Sequence, residues 1–207
     1  KIHLTEDVVS ECIQKRVVRY DKTGDNHYDT ISAFIKSMRG SDPDAAVYYL
    51  ARMLYAGESV TFIARRIMIC ASEDVGNADP QALVVAVAAS QAVERVGMPE
   101  AQLILSQAAI YVATAPKSNS CTNAIYDAME AVKSAKATIP PYLRDGHYSG
   151  AQKLGNAIGY EYAHDYPKHF SKQRYLPQEL GNTKFYRPSE NGYEKEIEEY
   201  LNWLHEE

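Results

Sequence analysis

The dipeptide Asp42-Pro43 and its repeat at Asp79-Pro80 constrain the fold of this chain more than any other feature. An aspartate accepts a hydrogen bond from the unpaired amides of a first helical turn, and proline costs nothing there because its missing N–H would have had no partner. Apolar residues at helical spacing follow each pair: a run through Tyr55 after the first, and Leu83, Val84, Val87 and Ala88 after the second. Pro99-Glu100 precedes a similar run of Leu103, Ile104, Gln107, Ala108 and Tyr111. Ser59 is suited to cap a helix carrying Phe62, Ile63, Ile67 and Cys70, and Ser118 one carrying Ala124, Ile125, Ala128, Met129, Val132 and Ala135, where the alanines permit close packing. Upstream, Thr5 or Asp7 opens a helix through Arg19, and Thr23-Gly24-Asp25-Asn26 separates it from another over about Tyr28 to Met38. The pattern predicts an all-α, multi-helix bundle. Its start signals do not recur at a fixed period, which disfavours a solenoid.

The pattern breaks at Ile139-Pro140-Pro141. Glycines 146, 150, 155, 159, 181 and 192 then separate short aromatic segments, among them Gly159-Tyr160-Glu161-Tyr162-Ala163-His164-Asp165-Tyr166-Pro167-Lys168-His169-Phe170. This stretch is expected to be mostly irregular and to fold by packing against something else. A final helix is expected from about Tyr193, with Ile197, Tyr200, Leu201 and Leu204 on its apolar stripe. The expected division is therefore 1–24, a helical domain over 25–140, and an aromatic-rich domain over 141–207 packed on it.

With 207 residues, 45% of them hydrophobic, the chain can bury a real core. Its net charge of -5 disfavours a generally basic coat, but the charge is unevenly placed. From Pro141 to Arg187 there are 7 Lys or Arg against 4 Asp or Glu, and from Pro188 to Glu207 there is 1 Lys against 7 acidic residues. Cys12, Cys70 and Cys121 lack the spacing of a zinc site or a disulfide scaffold, so reduced structural thiols are expected. The apolar stretch Ala82 to Ala89 is far shorter than the roughly 20 residues of a membrane span, and the expected compartment is the cytoplasm. Lys1 is not an initiator methionine and Leu4 to Val9 already reads as helix entry, so the chain is expected to begin inside a larger protein.

No Gly-rich phosphate loop ending in Lys and Ser or Thr is present, and no His-Glu-x-x-His zinc motif. His164, Asp165 and His169 could converge on zinc, or His164, Asp165 and Tyr166 on acid–base chemistry; structural hydrogen bonding is the simpler role. Ser118 and Ser120 are explained as helix caps. Arg66 and Glu73, seven apart, can share a helical face, so Arg65, Arg66, Glu73 and Asp74 are read as ordinary helix surface or ion pairs within the bundle, with a subunit contact or a direct nucleic-acid contact as alternatives, and Arg39 as a partner of a helix end rather than of phosphate. Lys133 and Lys136, with Lys117 or Arg144 nearby, could form a small basic edge for phosphates. Lys168, Lys172 and Arg174, with Tyr160, Tyr162, Tyr166 and Tyr175 as stacking or covering groups, form a second candidate surface for nucleic acid or a partner. For both basic groups solvation and local packing are the simpler reading.

The motifs Tyr28-Asp29-x-Ile31-Ser32-Ala33-Phe34-x-Lys36-Ser37-x-Arg39-Gly40-Ser41-Asp42-Pro43-Asp44-Ala45-Ala46, Ala64-Arg65-Arg66, Ala71-Ser72-Glu73-Asp74-x-Gly76-x-Ala78-Asp79-Pro80 and Ala115-Pro116-Lys117-Ser118-Asn119 resemble the C-terminal part of the replication-associated recombination protein A family, also called RarA or MgsA. Tyr162-Ala163-His164-Asp165, Tyr175-Leu176-Pro177 and Asn191-Gly192-Tyr193-Glu194 resemble the same family's terminal domain. The resemblance implies an AAA+ ATPase related to clamp loaders and to the Werner-helicase-interacting protein, acting at stalled or damaged bacterial replication forks. It implies that 1–24 is the end of the helical lid and that the bundle is a clamp-loader-like collar supporting a homotetramer. ATP and magnesium would be bound only by the full-length protein, leaving this chain without catalytic, cofactor or metal residues. Single-stranded or fork DNA and single-stranded-DNA-binding protein are the partners implied for the whole protein. The alternative is a monomeric protein-binding or single-stranded-DNA-binding adaptor.

Overall fold

The computed structural model describes residues 25–147 and 156–206. The expected helix from Thr5 or Asp7 to Arg19, and with it 1–24, lies outside them. The described residues form seven α-helices and no strand, in agreement with the all-α expectation. They are α1 (Asp25–Arg39), α2 (Pro43–Tyr55), α3 (Val60–Cys70), α4 (Gln81–Val96), α5 (Ala101–Thr114), α6 (Ser120–Ser134) and α7 (Glu194–His205). They divide into two compact units, whose described parts are 25–75 with 81–115 and 76–80 with 116–206.

In the first unit the start signals act as expected. The Asp42 carboxylate accepts from the Ala45 amide at 2.9 Å with Pro43 in the first turn of α2, and the Ser59 hydroxyl accepts from the Phe62 amide at 3.3 Å. Each cap is worth about 1 kcal/mol. Helix α1 begins at Asp25, before the expected Tyr28, because tertiary contacts hold its first turn: His27 pairs with Glu58 at 3.1 Å and packs on Phe62. Helix α5 is central, touching α1, α2, α3 and α4. Phe34, Met38, Leu50, Met53, Ile63, Ile67 and Leu105 are fully enclosed, each burial stabilising by about 1.5–3 kcal/mol. Alanines line the α4–α5 contact, Ala82, Ala86 and Ala89 on one helix and Ala101, Ala108 and Ala109 on the other, which lets the two axes approach closely.

Helix α4 turns the opposite way from what its sequence invites. Leu83, Val84 and Val87 are 42%, 59% and 38% exposed, whereas Ala82, Ala86, Ala89 and Val93 face the core. The core-facing line of α4 is mostly alanine, with Val93 at its end, and Leu83, Val84 and Val87 point outward. Helix α3 does not simply stop: it passes into a π turn, Ala71–Val75, and a 3-10 turn, Gly76–Ala78, a distortion that no propensity predicts.

In the second unit α6 buries none of its residues, and Ile125, Met129 and Val132 stand in line on one exposed face. Close packing was expected there from its alanines. Between α6 and α7 the described chain forms short 3-10 turns, at 141–143, 163–165, 167–169 and 178–180.

Candidate functional site

The π turn carries the first unit's charge cluster. By winding one residue wider than an α-helix it brings Asp74, 8% exposed, within 2.5 Å of Arg39 at the end of α1. Arg39 also reaches Glu73 at 3.5 Å, and the Cys70 thiol donates to the other Asp74 oxygen at 3.3 Å. The hydrogen bond to Asp74 is the main reason the Arg39 guanidinium is held above its ordinary pKa, against the opposing effect of burial. Glu73 is thus engaged by Arg39, 34 residues away, and Arg66 on α3 makes no ion pair or hydrogen bond with any described residue. Arg65 lies over the Phe62 ring at 5.6 Å. Spacing along one helix could show Arg66 and Glu73 as neighbours; it could not show Arg39 arriving from α1.

A broad apolar surface covers the other side of this unit. Leu103, Gln107 and Ile110 form the outer line of α5, with Leu103 67% exposed. On one flank lies a groove lined by Val47, Leu50, Ala51, Leu54, Tyr55 and Met98. On the other lies a groove lined by Val85, Ala88, Ala89, Ala92, Ile104 and Ala108. Helix α5 bears no charged residue, and α4 bears none before Glu94. Burial accounts for this on their inner faces only. The apolar period was legible in the sequence, but its outward direction was not.

The second unit is organised around Glu194, which has no exposed surface. Its carboxylate accepts from the Ser118 hydroxyl at 2.6 Å, the Ser189 amide at 2.7 Å, the Tyr186 hydroxyl at 3.2 Å and the Ser120 hydroxyl at 3.3 Å. Burial pushes this carboxyl up, but the hydrogen bonds from Ser118, Ser189 and Tyr186 outweigh it and hold the group below its ordinary value. Burial and the neighbouring Glu194 charge together push the Tyr186 phenol up to about 12. The same motif anchors the backbone: the Tyr193 amide donates to the Ala78 carbonyl at 2.8 Å, and the Asn191 side chain donates to the Lys117 carbonyl at 2.9 Å. Gly192 has φ of +54°, and a β-carbon there would drive into the Ala78 carbonyl. Ser118 was expected to cap α6, but the residue at that helix's N-cap is Asn119, and the Ser118 hydroxyl donates to Glu194. The Asn191-Gly192-Tyr193-Glu194 pattern was visible in the sequence, but nothing local marked its glutamate as buried.

Three of the predicted basic residues, Lys168, Arg174 and Arg144, bind the protein's own backbone. The Lys168 ammonium donates to the Trp203 and Glu206 carbonyls at 2.6 and 2.9 Å and lies 4.7 Å from the Trp203 ring centre, closing the C-terminal end of α7. The Arg174 guanidinium donates to the carbonyls of Leu176, Pro177 and Gly181, and Arg144 to that of Ile139. Lys133 pairs with Glu130 at 3.7 Å, Lys136 and Lys172 are exposed, and Lys117 is half-buried. Tyr162, Tyr166 and Tyr175 are exposed, the last with its hydroxyl 3.4 Å from that of Ser171. The His164 ring lies 5.2 Å from Tyr162 and 5.0 Å from His169, and no described residues form a group of three metal-ligating side chains. No described helix is long and apolar enough to cross a membrane.

These features define an all-α module with an internally bonded tail and an uncovered apolar bundle face. Residues 40–205 match the family model described as MgsA AAA+ ATPase C terminal, and residues 1–39 match one described as AAA C-terminal domain. The chain is 46% identical over 193 residues to replication-associated recombination protein A of Bacillus subtilis, covering 93% of this chain and 46% of that protein. It is 58% identical over 190 residues to an uncharacterized AAA domain-containing protein of Mycobacterium tuberculosis, covering 91% of this chain and 42% of that protein. It is 39% identical over 187 residues to an ATPase, WRNIP1, of Dictyostelium discoideum, covering 89% of this chain and 21% of that protein. The chain belongs to the MgsA, or replication-associated recombination protein A, family of AAA+ ATPases, as the sequence motifs indicated, and it spans less than half the length of these relatives.

Proposed function

We propose that this chain is the assembly collar of a bacterial AAA+ ATPase that works in the cytoplasm at stalled or damaged replication forks, and that it holds four copies together. The observation that carries this reading is the apolar surface of α2, α4 and α5. Single exposed apolar residues are ordinary, but Leu83, Val84, Val87, Leu103 and Ile110 share two adjacent helices that carry no charge before Glu94, the composition of an interface core. Covering it with further copies removes this surface from water. Assembly raises the effective concentration of the attached ATPase domains without any bond chemistry in the collar.

ATP and magnesium belong, in this reading, to the ATPase region of the full-length protein, since no residues of this chain form a phosphate loop. DNA and single-stranded-DNA-binding protein are partners of that whole assembly. The adaptor alternative draws less support, because Lys168, Arg144 and Arg174 are already engaged by backbone carbonyls.

The test is to place a charge on the surface. Val84→Glu combined with Leu103→Glu is expected to reduce the light-scattering mass to that of one chain while the helical circular dichroism stays unchanged. An unaltered multimeric mass would remove this surface from the interface.

A further inference from the structure

Helix α7 turns two large aromatic rings away from the protein. Its inner side holds the enclosed Glu194 and the half-buried Ile197 and Leu204. Glu196, Glu199, Tyr200 and Trp203 follow one another at helical spacing on the opposite side, where residues three or four apart are neighbours. Tyr200 is 55% and Trp203 44% exposed, and their rings stack with centres 5.8 Å apart. The inner side already holds the helix, so polar residues would serve the outer one without leaving two rings against water. Tyrosine and tryptophan are also the side chains that most often anchor a protein interface. The chemistry of this face selects its partner. Trp203 already accepts one cation, the Lys168 ammonium 4.7 Å from its ring centre, so the surroundings of these rings suit positive charge. The exposed carboxylates of Glu196 and Glu199 form no ion pair among the described residues. Lys195 is the one Lys or Arg from Pro188 to Glu207, against 7 acidic residues. An apolar partner would strip water from both carboxylates without pairing them, and nucleic acid would bring phosphates against them. An arginine-bearing peptide does neither, because a guanidinium can pair with a carboxylate and lie over an aromatic ring at the same time.

We propose that the outer face of α7 docks a basic segment of a partner protein, with arginines held between the Tyr200 ring and the Glu196 and Glu199 carboxylates and an apolar side chain against Trp203. This face shares no residue with the apolar surface of α2, α4 and α5, and its test does not depend on the oligomeric state. Trp203 is the single tryptophan of the chain and belongs to the face, so its emission reports occupancy directly. The probe is a dye-labelled hexapeptide of three arginines and two leucines with one glycine, titrated at low salt against the 207-residue chain, with peptide anisotropy and Trp203 emission read together. Two control peptides replace its arginines by citrulline, which keeps the shape and loses the charge, or its leucines by serine. Saturable binding in both readouts is the expected result, weakened about fivefold or more by citrulline and by Glu196→Gln combined with Glu199→Gln. A weakening of several-fold is expected for the serine peptide and for Tyr200→Ala. These substitutions replace exposed side chains, so the helical circular dichroism should stay unchanged. No binding at about 1 mM peptide, equal affinity for the citrulline peptide, or equal affinity in the double variant overturns the proposal. So does binding that leaves Trp203 emission unmoved, which would place the peptide elsewhere. Saturable quenching of Trp203 by oligothymidylate alone overturns it by making the rings a base-stacking platform. A loss of multimeric mass in Tyr200→Ala without loss of peptide affinity also overturns it, by making the face a contact between copies.

Discussion

Glu194 accepts hydrogen bonds from Ser118, Ser120, Tyr186 and Ser189 while shut off from water, so truncating it strands donors from two separate stretches of chain. Glu194→Ala is expected to destabilise the second unit by about 2–4 kcal/mol, read in urea denaturation by the fluorescence of the single tryptophan, Trp203. The pH dependence follows from the same contacts. The Glu194 carboxyl is depressed in the folded chain, so its contribution is complete above the ordinary value of 4.5 and is lost as pH falls through the lower folded value. Tyr186 is raised from 10.0 to about 12, so its contribution is complete below 10.0 and is lost as pH climbs toward about 12. Denaturation midpoints should therefore plateau between these limits, and Glu194→Gln should flatten the acid limb. An acid limb identical in the wild type and Glu194→Gln would show that this carboxyl does not govern it. None of this was legible locally: Ser118 and Ser120 read as caps because a partner 76 residues away leaves no mark on the sequence around them.

Element boundaries were legible wherever the signal was local chemistry. The Asp42-Pro43 and Ser59 caps act as their side chains dictate, and α2 ends at Tyr55 as read. Which way a helix faces was not legible from its apolar period alone. In α4 three alanines and Val93 took the core and Leu83, Val84 and Val87 the outside, and in α6 the apolar line Ile125, Met129 and Val132 found no cover. The π turn was invisible because what stabilises it is the Arg39–Asp74 pair, not propensity. These assignments make opposite predictions for similar side chains. Leu105→Ala in α5, at 0% exposed, is expected to cost about 2–5 kcal/mol, and Met129→Ala in α6, at 50% exposed, less than about 1 kcal/mol. Thermal melts of the two variants check this, and comparable losses would mean that α6 is covered in solution.

At the scale of the whole molecule, the enclosed core of the first unit and the hydrogen-bonded knot of the second satisfy most groups of each unit. Among the features left over are the apolar outer face of α4 and α5, the exposed line Ile125, Met129 and Val132 on α6, and the Arg66 Nε. In the proposed collar, assembly would use the first. The sequence motifs located the family, because they are ordered along nearly the whole chain, but not these surfaces, because a hydrophobic period reads the same whether a helix packs inward or onto another copy. The most direct test is the absolute mass of the purified chain by light scattering over a dilution series and at low and high salt. A mass four times the 23.2 kDa of one chain, holding in high salt as an apolar interface should, is the predicted result. A mass of one chain at every concentration would contradict the collar.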